Sequence, residues 1–314
     1  MKYINIFKLF LLLSFVLINA SYTSAQSKRA LLVGISNYSS NPHTQWSDIN
    51  GVNDINIISS DLQKQGFQNI VTLLDQNATS KNIKQCLEDL VMACNKDDVV
   101  YFHFSGHGQP VLDINGDEGD GDEWDESIIP YDAYMMYEKD IYDGKNHITD
   151  DQLNYYFGKI RQAIGSNGFL YVIIDACYSG TLMRSPEIGN IDTFKEIDIH
   201  APIRGINIGF DFGKDKIFKP VIDNSSFHRI ESKKGYSNMI ALEACQATQN
   251  VREIKVDGIY YGPLSFYVHK ALLTNYISNN YLWIENVVEL YRSDKRNYKQ
   301  KIVCESTIDN GRGY

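Results

Sequence analysis

The chain has 314 residues, 43% hydrophobic and 22% charged, enough apolar material for the core of one large domain or two small ones. Its 30 Lys and Arg against 39 Asp and Glu leave a net charge of −9, which argues against nucleic acid as a partner, because phosphates call for a basic surface. An acidic surface fits a soluble protein that attracts basic peptides weakly.

The first element in chain order is a leader. Lys2 and Lys8 flank an apolar run from Leu9 to Ile18, and small residues follow up to Ala25. That layout is the pattern of a secretory signal peptide, and the run is short for a bilayer span. Cleavage is expected after Ala25, which gives a secreted or periplasmic chain of residues 26–314 with no membrane span. Its charge would be −11, since Lys2 and Lys8 are lost. The alternative is an uncleaved N-terminal anchor.

Arg29 to Ile35 reads as a buried strand, followed by turn residues to Pro42. Val52, Ile55, Ile58 and Leu62 then recur at helical spacing, and Gly66 ends that helix. Asn69 to Leu74 is a second strand. Thr79 caps a helix running from Ser80 to Cys94, with Ile83, Leu87, Leu90 and Val91 on one face. Asp98 to Ser105 is a third strand, stopped by Gly106-His107-Gly108, and an acidic, glycine-rich segment follows from Asp113 to Glu126. Asp150 to Ile160 is amphipathic, and Phe169 to Ala176 is a fourth strand, apolar until Asp175. Arg184 to Tyr236 has no sustained period and reads as a long surface insertion. Pattern returns with a fifth strand from Asn238 to Ala244 and helices at Pro263 to Tyr276 and Ile284 to Tyr291. Apolar strands alternating with helices predict an α/β domain whose mostly parallel sheet is covered on both faces.

Five cysteines, Cys86, Cys94, Cys177, Cys245 and Cys304, leave at least one thiol unpaired. The absence of a C-x-x-C pair argues against a zinc or thioredoxin-type site. Cys86 and Cys94 fall on a helical pattern and read as packing residues.

The chemistry collects at two strand ends. Ser105-Gly106-His107-Gly108 closes the third strand and Asp175-Ala176-Cys177-Tyr178-Ser179-Gly180 closes the fourth. In an open parallel sheet, functional groups gather past the carboxyl ends of the strands. Neighbouring strands lie about 4.8 Å apart, so if these two are neighbours an imidazole and a thiol meet. His107 would then activate Cys177 and protonate the leaving amine, while the Gly108 and Cys177 amides bind the oxyanion. The plain alternative, a buried Cys and a hydrogen-bonded core His, explains either residue alone better than both together.

At this point the chain resembles the caspase-like cysteine peptidases, in the metacaspase and bacterial orthocaspase branch. The resemblance is carried by RALLVGIS (29–36), GVND (51–54), YFHFSGHG (101–108), DEWDESIIPYD (122–132), ITDD (148–151) and DACYSG (175–180), with EACQATQ (243–249) extending it. It implies the caspase-like fold with a six-stranded sheet, a Cys177–His107 dyad, and cleavage of peptide or protein substrates after Arg or Lys. It places Asp54, Asp175 and Ser105 in the pocket for the basic side chain, and paired carboxylates suit a cation. A helix N-terminal charge is the other explanation for Asp54. The resemblance also implies a monomer and cutting within the 184–236 insertion, where Arg184, Arg204, Lys214, Lys216, Lys219, Arg229, Lys233 and Lys234 are candidates.

The acidic segment holds eight carboxylates in fourteen residues, but Glu118 and Trp124 stand where a calcium-binding EF-hand needs Gly and Glu. The resemblance offers Asp125, Asp150 and Asp151 as calcium ligands instead, with Arg184 standing where a fourth carboxylate is expected. Calcium is thus an activator at most, and the dyad chemistry itself requires no cofactor. The other explanation is a solvated loop, with Asp150 or Asp151 as a helix cap. Three other functional readings compete: an inactive caspase-fold binding module, a clostripain- or gingipain-type hydrolase, and a calcium-binding structural protein. The intact dyad opposes the first, and GVND with DEWDESIIPYD opposes the second.

Overall fold

Strict in-and-out alternation along three apolar runs builds the centre of the molecule. In a computed structural model, residues 26–114, 116, 123–177, 198, 200–206, 208–219, 225–246, 249, 251–277, 281–297 and 300–308 are described. The leader, Arg184, Tyr178 to Gly180 and much of the acidic segment lie outside them. Strands β1 (Lys28–Gly34), β2 (Asn69–Leu74), β3 (Val99–Ser105), β7 (Phe169–Asp175) and β10 (Asn238–Glu243) form the parallel body of the sheet. β14 (Val303–Ser306) runs antiparallel to β10, and β9 (Phe227–Arg229) runs alongside β14, so the order is β2-β1-β3-β7-β10-β14-β9. The sheet thus has seven strands rather than six. The added edge strand, β9, comes from the 184–236 segment.

Side chains leave a strand on alternate faces, so an all-apolar strand feeds two cores. Leu32, Tyr101 and Tyr171 pack on one face with helices α1 (Gly51–Lys64), α4 (Pro263–Leu272) and α5 (Leu282–Ser293), through Ile58, Val268 and Val287. Leu31, Phe102 and Val172 pack on the other with α2 (Ser80–Ala93) and α3 (Asp150–Ile164), through Leu87 and Phe157. Thr79 and Thr149 cap α2 and α3 by accepting from the backbone N–H three residues on, the expected signature of each helix start. Gly66 takes φ +84 just past α1, the left-handed conformation in which the sequence places a helix stop.

A small second sheet stands over the carboxyl ends: β4 (Gly108–Leu112), β5 (Trp124–Ile128) and β6 (Ile148–Thr149). Two short ladders complete the described strands, β8 (Ile203–Arg204) with β11 (Val251–Arg252), and β12 (Ile254–Val256) with β13 (Ile259–Tyr261). The 184–236 segment is therefore not confined to the surface. Arg204 is wholly buried and Phe210 nearly so, the latter beside Val111 and Tyr142 under the small sheet. The buried charge on Arg204 is possible because carboxylates from distant parts of the chain converge on it.

None of the described helices is long and apolar enough to cross a membrane. All five cysteines are thiols. Cys86 and Cys94 lie partly buried against the α2 and α3 side of the core, as a packing role predicts.

Candidate active site

β3 and β7 are neighbours in register, with Ser105 opposite Asp175. His107 and Cys177 each follow two residues beyond those strand ends, and both side chains are buried. A short segment of the chain itself runs between the His107 imidazole and the Cys177 main chain. Gly205 donates its backbone N–H to His107 Nδ1 at 2.9 Å, and a methyl group at its Cα would lie 1.8 Å from the Cys177 carbonyl oxygen. Gly205 has φ +99, so both the conformation and the closeness call for glycine.

The hydrogen bonds of His107 fix its tautomer. Nε2 lies 2.8 Å from the Ser47 carbonyl, which can only accept, so Nε2 carries the proton and Nδ1 is the free base facing Gly205. Trp46 stacks on the imidazole and Tyr38 lies tilted against it, each with ring centroids 4.8 Å away. Tyr38 also accepts from the His107 N–H and donates to the Ile129 carbonyl. Burial pushes the imidazole down to about 4, the Ser47 carbonyl opposes this, and Arg204 adds to it. The ring is neutral at ordinary pH, as a base should be. Tyr38, Trp46 and Ser47, on the connection between β1 and α1, thus supply the box that holds the base.

The Cys177 thiol donates to the Gln249 carbonyl at 2.5 Å, and its sulfur lies 3.2 Å from that of Cys245.

Arg204 lies in the pocket formed by Asp54, Asp175 and Ser105, the three residues expected to line it. Its Nη2 donates to Asp54 Oδ2 at 2.7 Å and to Glu253 Oε1 at 2.8 Å. Its Nη1 donates to Ser105 Oγ at 2.6 Å and to the Asp175 carbonyl at 3.0 Å, with Asp175 Oδ1 at 3.7 Å. Asp54 stands in the first turn of α1, but its carboxylate turns into the pocket, where it also accepts from Ser105 Oγ and the Gly262 N–H. Asp175 accepts from the Ser265 N–H. Gly262 closes the wall: a methyl group there would meet Asp175 Oδ2 at 2.3 Å and the Arg204 guanidinium at 2.6 Å.

Three buried carboxylates face one cation. Burial drives the Asp54 carboxyl up and Arg204 pulls it back, while Asp175 raises it further. Glu253 was not foreseen. It is 3% exposed, follows β11, and accepts from the Asn50 N–H and side-chain amide as well as from Arg204. The alternating pattern around it gives no local sign of burial, so only tertiary placement reveals it.

The main chain of the pocket's occupant is held as a strand. Ile203 and Arg204 pair antiparallel with Arg252 and Val251, and the Glu253 N–H donates to the Pro202 carbonyl. Strand addition of this kind binds a peptide by its backbone and leaves side-chain pockets to select sequence.

Asp125 lies on β5, and Asp150 and Asp151 open α3 just after β6, so strand pairing brings them to one end of the small sheet. Among the described residues, no three His, Cys, Asp or Glu side chains converge closely enough to hold a metal ion.

A family profile described as "Metacaspase, peptidase C14 domain" matches residues 28–186, which carry both strand ends. Metacaspase-2 of Arabidopsis thaliana is 32% identical over 199 residues, 60% of this chain and 43% of that protein. Metacaspase-1 of Mycosarcoma maydis is 25% identical over 315 residues, 92% of this chain and 73% of that one. The chain thus spans less than half of the Arabidopsis relative. A Geobacter sulfurreducens protein of known crystal structure shares the fold, with a TM-score of 0.56 and 17% identity over 91% of this chain and 96% of that one. With a family profile covering half of its length and both strand ends inside the match, the chain belongs to the metacaspase, peptidase C14, family of cysteine-type endopeptidases.

Proposed function

We propose that the protein is an arginine-directed cysteine endopeptidase, with Cys177 as nucleophile and His107 as base, and that its first substrate is its own Arg204–Gly205 bond. One observation carries this reading: Arg204 fills the acid-lined pocket while the amide nitrogen of Gly205 faces His107 Nδ1. That nitrogen is the leaving group of the bond after Arg204. Among the described basic residues of the segment, Lys214, Lys216, Lys219, Arg229, Lys233 and Lys234 are exposed, whereas Arg204 is buried.

The thiol proton, held by the Gln249 carbonyl at rest, passes to His107 Nδ1. The sulfur then attacks the Arg204 carbonyl carbon. The carbonyl oxygen becomes an oxyanion, which the Gly108 and Cys177 amides stabilise. His107 returns its proton to the Gly205 nitrogen as the C–N bond breaks, leaving an Arg204 thioester that water hydrolyses. The freed pocket then accepts arginine, or lysine less well, from other chains.

The test is to purify the full chain beside Cys177→Ala and His107→Ala. Fragments are followed by mass, with a new N-terminus expected at Gly205. A fluorogenic panel with Arg, Lys or Asp before the cut bond follows, with and without calcium. Identical fragments from the Cys177→Ala chain, or cleavage after Asp alone, would end the reading. Residues 1–25 as an export leader complete the proposal; an extracytoplasmic protein that retains Lys2 would overturn that part.

A further inference from the structure

Cys245 takes no part in the chemistry just described, yet its sulfur lies 3.2 Å from that of Cys177, inside ordinary van der Waals contact. The arrangement follows from the sheet. β7 and β10 pair in parallel with Ile174 opposite Glu243, and the ladder continues as the Ala244 N–H donates to the Ile174 carbonyl. Cys177 lies two residues beyond Asp175, the end of β7, and Cys245 two beyond Glu243, the end of β10, so they leave adjacent strands at nearly the same level. Adjacent strands are about 4.8 Å apart, within the roughly 4.4–6.8 Å Cα separation that a disulfide spans. Both thiols turn to the same acceptor, the Gln249 carbonyl, at 2.5 and 3.4 Å, which holds the two sulfurs facing each other. Cys245 is 2% exposed in apolar surroundings, and packing alone would be served by alanine or valine there.

We propose that Cys177 and Cys245 are a peroxide-responsive dithiol, and that their disulfide is a reversible off-state of the peptidase. This rests on Cys177 being the nucleophile. The oxidant is hydrogen peroxide. The Cys177 thiolate attacks one peroxide oxygen; an S–O bond forms, the O–O bond breaks, and hydroxide leaves and is protonated to water. Cys177 is then a sulfenic acid. The Cys245 sulfur attacks the Cys177 sulfur; the S–S bond forms, the S–O bond breaks, and hydroxide departs with the Cys245 proton as a second water. The two sulfurs together lose two electrons and peroxide gains them. A dithiol reductant reverses the change by exchange. The Cys177 sulfur in the disulfide has no lone thiolate to offer a carbonyl, so cleavage stops. The attack by Cys245 also outcompetes further oxidation of Cys177 to the irreversible sulfinic acid.

The experiment uses the full chain carrying Cys86→Ser, Cys94→Ser and Cys304→Ser, reduced and then exposed to hydrogen peroxide. Denaturing alkylation and peptide mapping are expected to find Cys177 and Cys245 in one cross-linked peptide that dithiothreitol separates. Peptidase activity should fall at least tenfold with peroxide and return with dithiothreitol. In an added Cys245→Ser variant the same loss should be permanent, with Cys177 recovered as sulfinic acid. The proposal is overturned if Cys177 is found overoxidised beside an alkylatable Cys245 in the parent protein, or if the Cys245→Ser variant recovers as fully as its parent. The peptide map needs no activity and stands alone if that variant does not fold. A cross-link in a protein that cleaves nothing would uphold the dithiol and end the peptidase reading; cleavage with no cross-link would do the reverse.

Discussion

Removing the guanidinium of Arg204 tests the pocket directly. In a Cys177→Ala background, where no self-cleavage intervenes, Arg204→Ala leaves Asp54, Asp175 and Glu253 facing one another with no cation between them. Arg204 and the Asp54 carboxylate are wholly buried and meet at 2.7 Å. Taking one partner from such a pair costs about 3–5 kcal/mol, because the other charge stays desolvated. Part of that cost can be relieved by protonation. Burial already raises Asp54, and Arg204, which opposes the rise, would be gone. A carboxyl raised in the folded state holds a proton that the unfolded chain has released, so its stabilisation is complete below the ordinary carboxylate value near 3.9 and is lost as pH rises through the folded value. The deficit of the variant should therefore widen with pH, by up to about 1.4 kcal/mol per unit for each extra proton held. Urea unfolding of the two proteins at pH 5 and pH 8 measures this. Benzamidine supplies the check: at 100 times its Kd it should restore about 2.7 kcal/mol to the Arg204→Ala protein and little to the parent, whose pocket is filled. A deficit below about 1 kcal/mol at pH 8, or equal stabilisation of both proteins by benzamidine, would refute the reasoning.

Four further outcomes follow from the same geometry. His107 is held down to about 4 while buried beside Arg204, so the acid limb of self-cleavage should fall near pH 4. The acid limb of kcat/KM on peptides, which reports the free processed enzyme, should move up toward 6.5; coincident limbs would refute this. Arginine should be preferred over lysine by about tenfold or more, since an ammonium cannot meet Asp54, Glu253 and Ser105 together and one charged hydrogen bond is worth about 1.5 kcal/mol. Glu253→Gln should narrow that ratio in paired kcat/KM measurements; an unchanged ratio would remove Glu253 from selectivity. Gly205→Ala should slow self-cleavage at least about tenfold, since φ +99 strains alanine and its methyl would strike the Cys177 carbonyl. Time courses on gels decide it, and wild-type speed would show that Gly205 does not sit there during the reaction.

The centre of this fold was legible because burial on both faces writes itself into local sequence. Leu31 to Val33, Val100 to Phe104 and Leu170 to Ile174 have no polar alternation except His103, which is satisfied by Tyr101 and Ser265. Glycines and chemistry-bearing residues at the ends of two such runs then located His107 and Cys177. The wall of Asp54, Asp175 and Ser105 was foreseen through the family resemblance rather than from spacing. What stayed hidden depends on pairing across long stretches of chain. Val303–Ser306 is too short to declare itself, and it becomes a strand only because β10 offers an open edge. Glu253 and Arg204 lie 49 residues apart, in or beside two strands of only two residues each, too short for a local period to show that they meet. Ser47 serves His107 through its carbonyl, a group every residue has, so its identity carries no signal.

The position of β10 decides what a break after Arg204 would leave behind. Everything downstream of Gly205 includes β10, which is inserted between β7 and β14, and β9, which extends the far edge. α4 and α5 follow and cover one face of the upstream strands. Neither fragment can leave without tearing open the sheet and exposing half of a core. The cut molecule should therefore migrate as two bands in denaturant and as one particle without it, a noncovalent pair in which the new amino terminus swings free while the scaffold around the catalytic groups stays in place.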